Sequence, residues 1–340
     1  DHLDAVTLRV ADPLAGDPDP DLTTTLLGQS FRAPIGVAPV GMSGAVWPGA
    51  EVSLARMATR HGLPYCLSTV AAATPEQVGP KTDGNGWFQL YAPSTPELRR
   101  DVLARAKDAG FSTLIFTVDV PVLSRRPREL KQRLQNPMKI TPRILWQSAM
   151  RPAWALGMVG RPAPQPVLFD KYKDTLERSS KDKHVGLSVR CSPDWNYLEA
   201  LRKDWDGPLI IKGVLDTAPL QRFRDMGADA FWVSNHGGRQ FEAARTAVEA
   251  LPAIRDAVGP DMPLIADGGV RSGTDVLRLL ALGADLVMLG RGYHWGLAAA
   301  GDAGAAQVTH ILTEEIKTDM AQLGINRPAD VRDCLSSYGS

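Results

Sequence analysis

Short apolar runs recur along this chain, and most are trailed by a stretch whose apolar residues repeat at helical spacing. Ala33 to Pro39 is the first run, and Gly49 to His61 reads as the helix behind it. Tyr65 to Val70 follows, and Thr74-Pro75-Glu76-Gln77 opens a helix with a Thr cap and Pro at its first position. Trp87 to Tyr91 is the third run, with Ser94-Thr95-Pro96-Glu97 opening the next helix, and Leu114 to Asp119 is the fourth. After a long interruption the rhythm resumes with Leu209 to Val214, Phe231 to Asn235, Leu264 to Gly268 and Leu286 to Gly290. Helical segments span Ala218 to Met226, Thr246 to Val258 and Gly273 to Leu282. Continuous apolar strands trailed by amphipathic helices predict parallel strands buried on both faces, the pattern of a (β/α)8 TIM barrel. A doubly wound open sheet shares the rhythm. It fits less well, because candidate site residues fall at the end of every strand and only a closed ring converges them.

The interruption, about 128–192, carries no strand signal and is polar near Lys171 to Lys183. Between Asn136 and Val159 it holds Trp146, Trp154, several large aliphatics and several cations. A long insertion after strand four, at the active-site face, reads as a lid, as an attachment surface, or as a loop with apolar residues tucked against the barrel. The 340 residues therefore suit one barrel domain over 1–340 with a lid at about 128–192.

Charge narrows the function classes. Lys plus Arg and Asp plus Glu are 38 each, so no basic surplus points to nucleic acid. Cys66, Cys191 and Cys334 are widely spaced and form no CxxC pair, which suits a reducing compartment and argues against a disulfide framework or a zinc site. No apolar run reaches transmembrane length and the first residues are not signal-like, so the expected setting is cytoplasmic.

The most informative stretch is Ser234-Asn235-His236-Gly237-Gly238-Arg239-Gln240, which follows the apolar run Ala230-Phe231-Trp232-Val233. Glycines let the backbone bend tightly between an imidazole that takes a proton near neutral pH and a guanidinium that grips a carboxylate. Together they offer what a 2-hydroxy acid needs to lose hydrogen at its α-carbon. A turn carrying a surface His and Arg would give the same residues. Farther on, Asp267-Gly268-Gly269-Val270-Arg271-Ser272-Gly273 and Leu289-Gly290-Arg291 combine glycine amides, a helix N-terminus and two arginines, a cradle for one phosphate. Lys212 ends its strand at the barrel mouth, where a merely structural lysine is out of place.

Ser234 to Gln240, with Ala38-Pro39, Phe88-Gln89-Leu90-Tyr91, Thr117-Val118-Asp119, Ile211-Lys212-Gly213 and Ala266-Asp267-Gly268-Gly269, resembles the FMN-dependent L-2-hydroxy-acid dehydrogenase and oxidase family. The likeness runs from about Leu22 to the last helix. It implies FMN as cofactor, with Asp267 on ribityl hydroxyls, Arg291 on the phosphate beside Gly268, Gly269, Arg271 and Gly290, and Lys212 near the ring's N1 and O2. Ser68, Gln89, Thr117 and Ser234 resemble the set around the pyrimidine edge, and Pro39, Val40 and Gly41 would give backbone contacts. His236 is the implied base, oriented by Asp119. Arg239 and Arg126 are the implied carboxylate clamps, Arg125 has no role, and Tyr91 would bond the substrate oxygen.

Three departures stand out. Val70 stands where the family often has Trp, Gly41 where several oxidases have Ala, and Glu242 where Asp is usual. Val70 is expected to open the substrate side and Gly41 the ring's other side, and Gly41 and the insertion resemble the mandelate and lactate dehydrogenases most. The expected reaction takes an L-2-hydroxy acid to the 2-oxo acid and passes two electrons from FMN to a quinone; the alternatives are a soluble oxidase that makes hydrogen peroxide and a flavin- or phosphate-binding barrel without turnover. Homotetramer assembly and peripheral contact with the inner face of the membrane are implied by the same likeness. Family members begin several tens of residues earlier with a segment that carries a substrate-contacting tyrosine, so this sequence is expected to start inside a longer protein.

Overall fold

A computed structural model describes residues 2–11, 18–122, 124, 141–159, 164–172 and 190–338. Eight parallel strands close into a barrel: β1 (Ile35–Val37), β2 (Tyr65–Ser68), β3 (Gly86–Leu90), β4 (Thr113–Thr117), β5 (Leu209–Val214), β6 (Ala230–Val233), β7 (Leu264–Asp267) and β8 (Leu286–Leu289), with β8 returning to β1. All eight coincide with the apolar runs of the sequence and favour the closed ring over the open sheet. The ladders are shorter than the runs because residues such as Asn235 and Gly290 lie past the paired backbone.

Side chains two apart on a strand share a face, and this explains how the barrel sorts its interior. Cys66 precedes Ser68, Trp87 precedes Gln89, Ile115 precedes Thr117, Ile210 precedes Lys212, Trp232 precedes Ser234 and Ile265 precedes Asp267. The first of each pair belongs to one buried apolar cluster inside the barrel. The second is a polar residue, also buried, one layer nearer the strands' C-terminal ends. An apolar floor therefore carries a polar roof, and the roof is the site.

A hairpin seals the floor. Thr24–Leu26 pairs antiparallel with Gln29–Phe31 through a turn in which Leu27 and Gly28 both have left-handed φ, 49° and 77°. Phe31 meets Trp87 edge-on at 6.0 Å, and the Trp87 indole donates to Gln29 Oε1 at 2.9 Å.

Helices α1 (Ala50–Arg60), α2 (Pro75–Val78) and α3 (Pro96–Asp108) follow the first three strands. The insertion contributes α4 (Pro142–Ala149) and α5 (Pro152–Met158). Then come α6 (Trp195–Asp204), α7 (Leu220–Asp225), α8 (Ala247–Val258), α9 (Gly273–Ala281) and α10 (Arg291–Leu323). Threonine caps begin α2, α3 and α8, and in α8 Thr246 and Glu249 bond each other's backbone amides. The long α10 breaks at Gly301, where φ is 60° and a Cβ would fall 2.7 Å from Trp47.

The insertion's return, residues 164–172, is moored to α3. Arg105 makes paired bonds to Glu76 at 2.7 and 3.2 Å and donates to the Leu168 carbonyl at 3.1 Å, while Tyr172 bonds Asp101. The Arg105 guanidinium holds the Glu76 carboxyl at about 2, below its ordinary 4.5. A depressed folded-state value stabilises above the unfolded value and is lost as pH falls through the folded one. Glu76→Gln should therefore cost a little at pH 7, under ~1 kcal/mol for so exposed a pair, and clearly less at about pH 2. Denaturation midpoints at the two pH values check this; an equal loss at both would assign the effect to packing.

Candidate active site

The roof is organised around Lys212, a lysine only 3% exposed. Its ammonium donates to Ser234 Oγ at 2.7 Å and Asp267 Oδ2 at 2.8 Å. Asp267 also accepts from Ser234 Oγ at 2.6 Å and from the Trp232 indole at 2.9 Å. A buried ion pair endures when hydrogen bonds satisfy its remaining atoms, and here both Asp267 oxygens and two of the three ammonium protons are bonded. On the opposite strands, Gln89 accepts from Ser68 Oγ at 3.1 Å and donates to Thr117 Oγ1 at 2.9 Å. Lys212 and the Ser68–Gln89–Thr117 chain thus form a polar ring over the apolar plug.

His236 stands at the edge of this ring in a left-handed turn, with φ of 59°, 65° and 74° at His236, Gly237 and Gly238. A non-glycine residue in that region is strained. The His236 amide donates to Ser234 Oγ at 3.0 Å, and the Gly238 amide to Asn235 Oδ1 at 3.1 Å, so the turn is held from both sides. The imidazole Nδ1 lies 3.3 Å from both Asp119 oxygens, and Nε2 lies 3.3 Å from the Tyr91 hydroxyl. A carboxylate only accepts, so Asp119 selects the tautomer with its proton on Nδ1 and leaves the Nε2 lone pair facing the site. That geometry would let Nε2 accept a proton, with Asp119 placed where a carboxylate stabilises an imidazolium.

Asp119 reaches this position because Gly213 lacks a side chain. With φ of 99°, a Cβ there would sit 2.6 Å from the Asp119 Cβ and Cγ. Arg239, the expected clamp, is exposed at the mouth, and its carbonyl accepts from Ser124 Oγ at 2.6 Å. That bond joins the Arg239 turn to the segment leading into Arg125 and Arg126. Arg125 and Arg126 lie outside the described residues.

At the other end of the site, Gly268 and Gly269 have left-handed φ, 105° and 79°. Their amides are bonded to no protein acceptor among the described residues. No atom lies closer than 4.0 Å to where a Gly268 Cβ would be. Gly290 and Arg291 begin α10, and the Arg291 guanidinium donates to the Gly237 carbonyl at 3.4 Å, linking this end to the His236 turn. Arg271 is half exposed, 3.9 Å from the Asp4 carboxylate. One sequence expectation needs correction here. The α9 N-terminus is already used: the Gly273 amide donates to Glu315 at 2.6 Å and the Asp275 amide to Ser272 at 3.2 Å. The glycine amides, the first turn of α10 and the arginines are what this end still offers to a phosphate.

A second correction concerns Gly41 and Val70. Taken as openings on two sides of the site, they in fact touch: a Cβ on Gly41 would lie 2.6 Å from Val70 Cγ2, and the Met42 amide bonds the Val70 carbonyl at 2.9 Å. The valine methyl occupies the space that an alanine at position 41 would need. Behind this loop lies a group the sequence left unassigned. His294 is buried, with Nδ1 2.8 Å from the Gly290 carbonyl and Nε2 2.8 Å from Ser43 Oγ, and Ser43 donates to the Val40 carbonyl at 3.0 Å. Pro39, Val40 and Gly41 are thereby tied to the phosphate end. Glu242 is exposed.

An imidazole and an arginine at the mouth of a parallel barrel, beside unbonded glycine amides and a buried lysine, suit a cofactor-dependent oxidoreductase. Residues 2–337 match the FMN-dependent dehydrogenase family, and the chain belongs to it. It is 40% identical over 321 residues to an L-lactate dehydrogenase of Caulobacter vibrioides, covering 93% of this chain and 82% of that one. Among solved structures it resembles the monotopic membrane protein (S)-mandelate dehydrogenase, with TM-score 0.86, 31% identity, and coverage of 98% of this chain and 88% of that one. Mandelate oxidase with benzoyl-formic acid gives TM-score 0.81 at 30% identity, covering 99% and 88%.

FMN is the cofactor, and the residues present fit it. The unbonded amides of Gly268 and Gly269 suit its phosphate. Lys212 suits an electron-rich ring edge, and Ser68, Gln89 and Thr117 offer donors and acceptors for a pyrimidine edge. Asp267, expected on ribityl hydroxyls, already receives three protein donors, so any hydroxyl would share a carboxylate that serves Lys212 first.

Proposed function

We propose that this protein oxidises an L-2-hydroxy acid, in the range from lactate to mandelate, to the 2-oxo acid and delivers the electrons to a membrane quinone. The observation that carries the reading is the Asp119–His236–Tyr91 line, which leaves one basic nitrogen beside the polar roof. Arg239, with Arg126, binds the acid's carboxylate, and Tyr91 bonds its hydroxyl oxygen. His236 Nε2 takes one proton as the C–O single bond becomes C=O. FMN, when bound, would supply the acceptor for the electron pair and the other hydrogen, together a hydride equivalent. Lys212 keeps a fixed positive charge where the electrons arrive.

The quinone rests on the insertion. On and beside α4 and α5, Leu145, Trp146, Met150, Leu156 and Val159 are 56–74% exposed. Clustered exposed apolar side chains mark a contact with membrane or protein. Among the described residues no helix is long and apolar enough to cross a membrane, so a contact of this kind would be peripheral. The similarity to a monotopic mandelate dehydrogenase supports the same arrangement. Homotetramer assembly at the inner face of the membrane belongs to this reading, with solution mass and vesicle flotation as its measures.

The purified protein is expected to carry about one FMN per chain. Val70 leaves out a bulkier aromatic, so acids with larger side chains should be preferred. Burying a phenyl-sized group is worth roughly 2–3 kcal/mol over a methyl, a preference of tens to hundreds of fold. Steady-state rates on mandelate, lactate and glycolate, each in air and with an artificial quinone, provide the comparison. Mandelate should lead, lactate follow, and the quinone outpace oxygen. Glycolate leading with oxygen as the faster acceptor would instead make this a glycolate-type oxidase.

A further inference from the structure

Tyr91 is set not only by His236 but by a cation from the far end of the insertion. The Arg190 guanidinium lies 3.8 Å from the centroid of the Tyr91 ring. Its backbone is fixed there: Arg190 forms an antiparallel bridge with Pro93, the Cys191 amide donates to the Ala92 carbonyl at 3.0 Å, and Cys191 Sγ meets the Pro93 carbonyl at 3.5 Å. The two residues after Tyr91 are thus zipped to Arg190 and Cys191, which brings the guanidinium onto the ring.

Arg190 has no carboxylate within ion-pair distance among the described residues. Burial pushes the guanidinium down from its ordinary value, and the nearby Tyr91 oxygen opposes that shift. An arginine remains charged through such a change. A half-buried cation without an acid is costly, and here its face-on partner is the phenol that touches the catalytic imidazole. On that phenol's other contact, the Tyr91 and His236 rings lie 22° from parallel with centroids 6.5 Å apart. Arg190, Tyr91, His236 and Asp119 therefore form one connected line of contacts.

We propose that Arg190 is a positioning residue for proton transfer: its guanidinium holds the Tyr91 ring so that the hydroxyl addresses His236 Nε2, and its charge favours negative charge developing on an oxygen that this hydroxyl bonds. The proposal rests on the reading that Tyr91 and His236 face the substrate, and it adds a residue that neither touches the acid nor joins the polar roof.

A double-mutant cycle with Tyr91→Phe tests it, with the FMN-loaded protein throughout. Arg190→Met keeps the side chain's length but removes its charge, and should lower kcat/KM by about 3- to 30-fold, the range of a partly desolvated cation–π contact. In the Tyr91→Phe background the same change should matter by less than about 2-fold, because the hydroxyl it acts through is gone. Arg190→Lys keeps a cation and should lose no more than about 3-fold. Affinity for the unreacting 2-oxo acid, measured by perturbation of the FMN spectrum, should fall alongside kcat/KM in Arg190→Met and not in Arg190→Lys. Equal losses in both backgrounds, or Lys as poor as Met, would reduce Arg190 to packing and overturn the proposal. An unimpaired Arg190→Met beside a crippled Tyr91→Phe overturns it while the proposed function stands. A fully active Tyr91→Phe removes both.

Discussion

Replacing His236 by Gln is expected to slow reduction of bound FMN by the hydroxy acid by about 10²–10⁴-fold, the usual cost of removing a positioned general base. The amide of Gln can hydrogen-bond Asp119 or Tyr91, but it cannot take a proton at the position of Nε2. The loss should fall on the chemical step. On the proposed reading Arg239 still meets the carboxylate, and the Lys212–Asp267 pair and the glycine amides, proposed to hold FMN, do not depend on the imidazole. FMN content and affinity for the 2-oxo acid should therefore stay near those of the parent. Stopped-flow bleaching of the flavin, at saturating acid, isolates the step. Bleaching at near-parental rate would place the base elsewhere and remove the Asp119–His236 line from the mechanism.

That this line could be found in the sequence follows from the architecture. Parallel strands buried on both faces read as unbroken apolar runs, so all eight barrel strands were visible, and their C-terminal ends meet at the mouth. Gln89, Thr117 and Lys212 stand two residues before the ends of their runs, Tyr91 and Asp119 at theirs and His236 just past its own, while the roles assigned to them came with the family resemblance. What remained hidden depends on contacts between distant segments. The sealing hairpin has strands of three residues and a turn that puts Leu27, not a favoured turn residue, at positive φ. Gly213 matters only because Asp119 lies across it. The Glu315 carboxylate takes the α9 N-terminus from 42 positions away, which no local pattern announces. His294 and Arg190 acquire roles through Ser43 and Tyr91, each brought close by the barrel rather than by the chain.

The same dependence on assembled contacts makes Lys212 the most consequential position for stability. Lys212→Met is expected to destabilise the protein by about 3–5 kcal/mol, the range for breaking a buried ion pair by removing one partner. Methionine fills similar volume, so the loss arises less from a cavity than from Asp267, whose carboxylate keeps only Ser234 and the Trp232 indole as donors. Adding Asp267→Asn should recover most of that loss, since a neutral amide needs no counter-charge, whereas Asp267→Asn alone leaves the ammonium without its anion and should itself destabilise. Denaturant midpoints for the parent, both single variants and the double variant form the cycle, read against slopes that report the surface exposed on unfolding. Recovery of stability should come without recovery of function. The double variant lacks the fixed cation at the ring's edge, so it should bind FMN more weakly and bleach slowly with the acid even when folded and loaded. A double variant no more stable than Lys212→Met would mean that the lysine's packing, and not the charge it balances, holds the roof together.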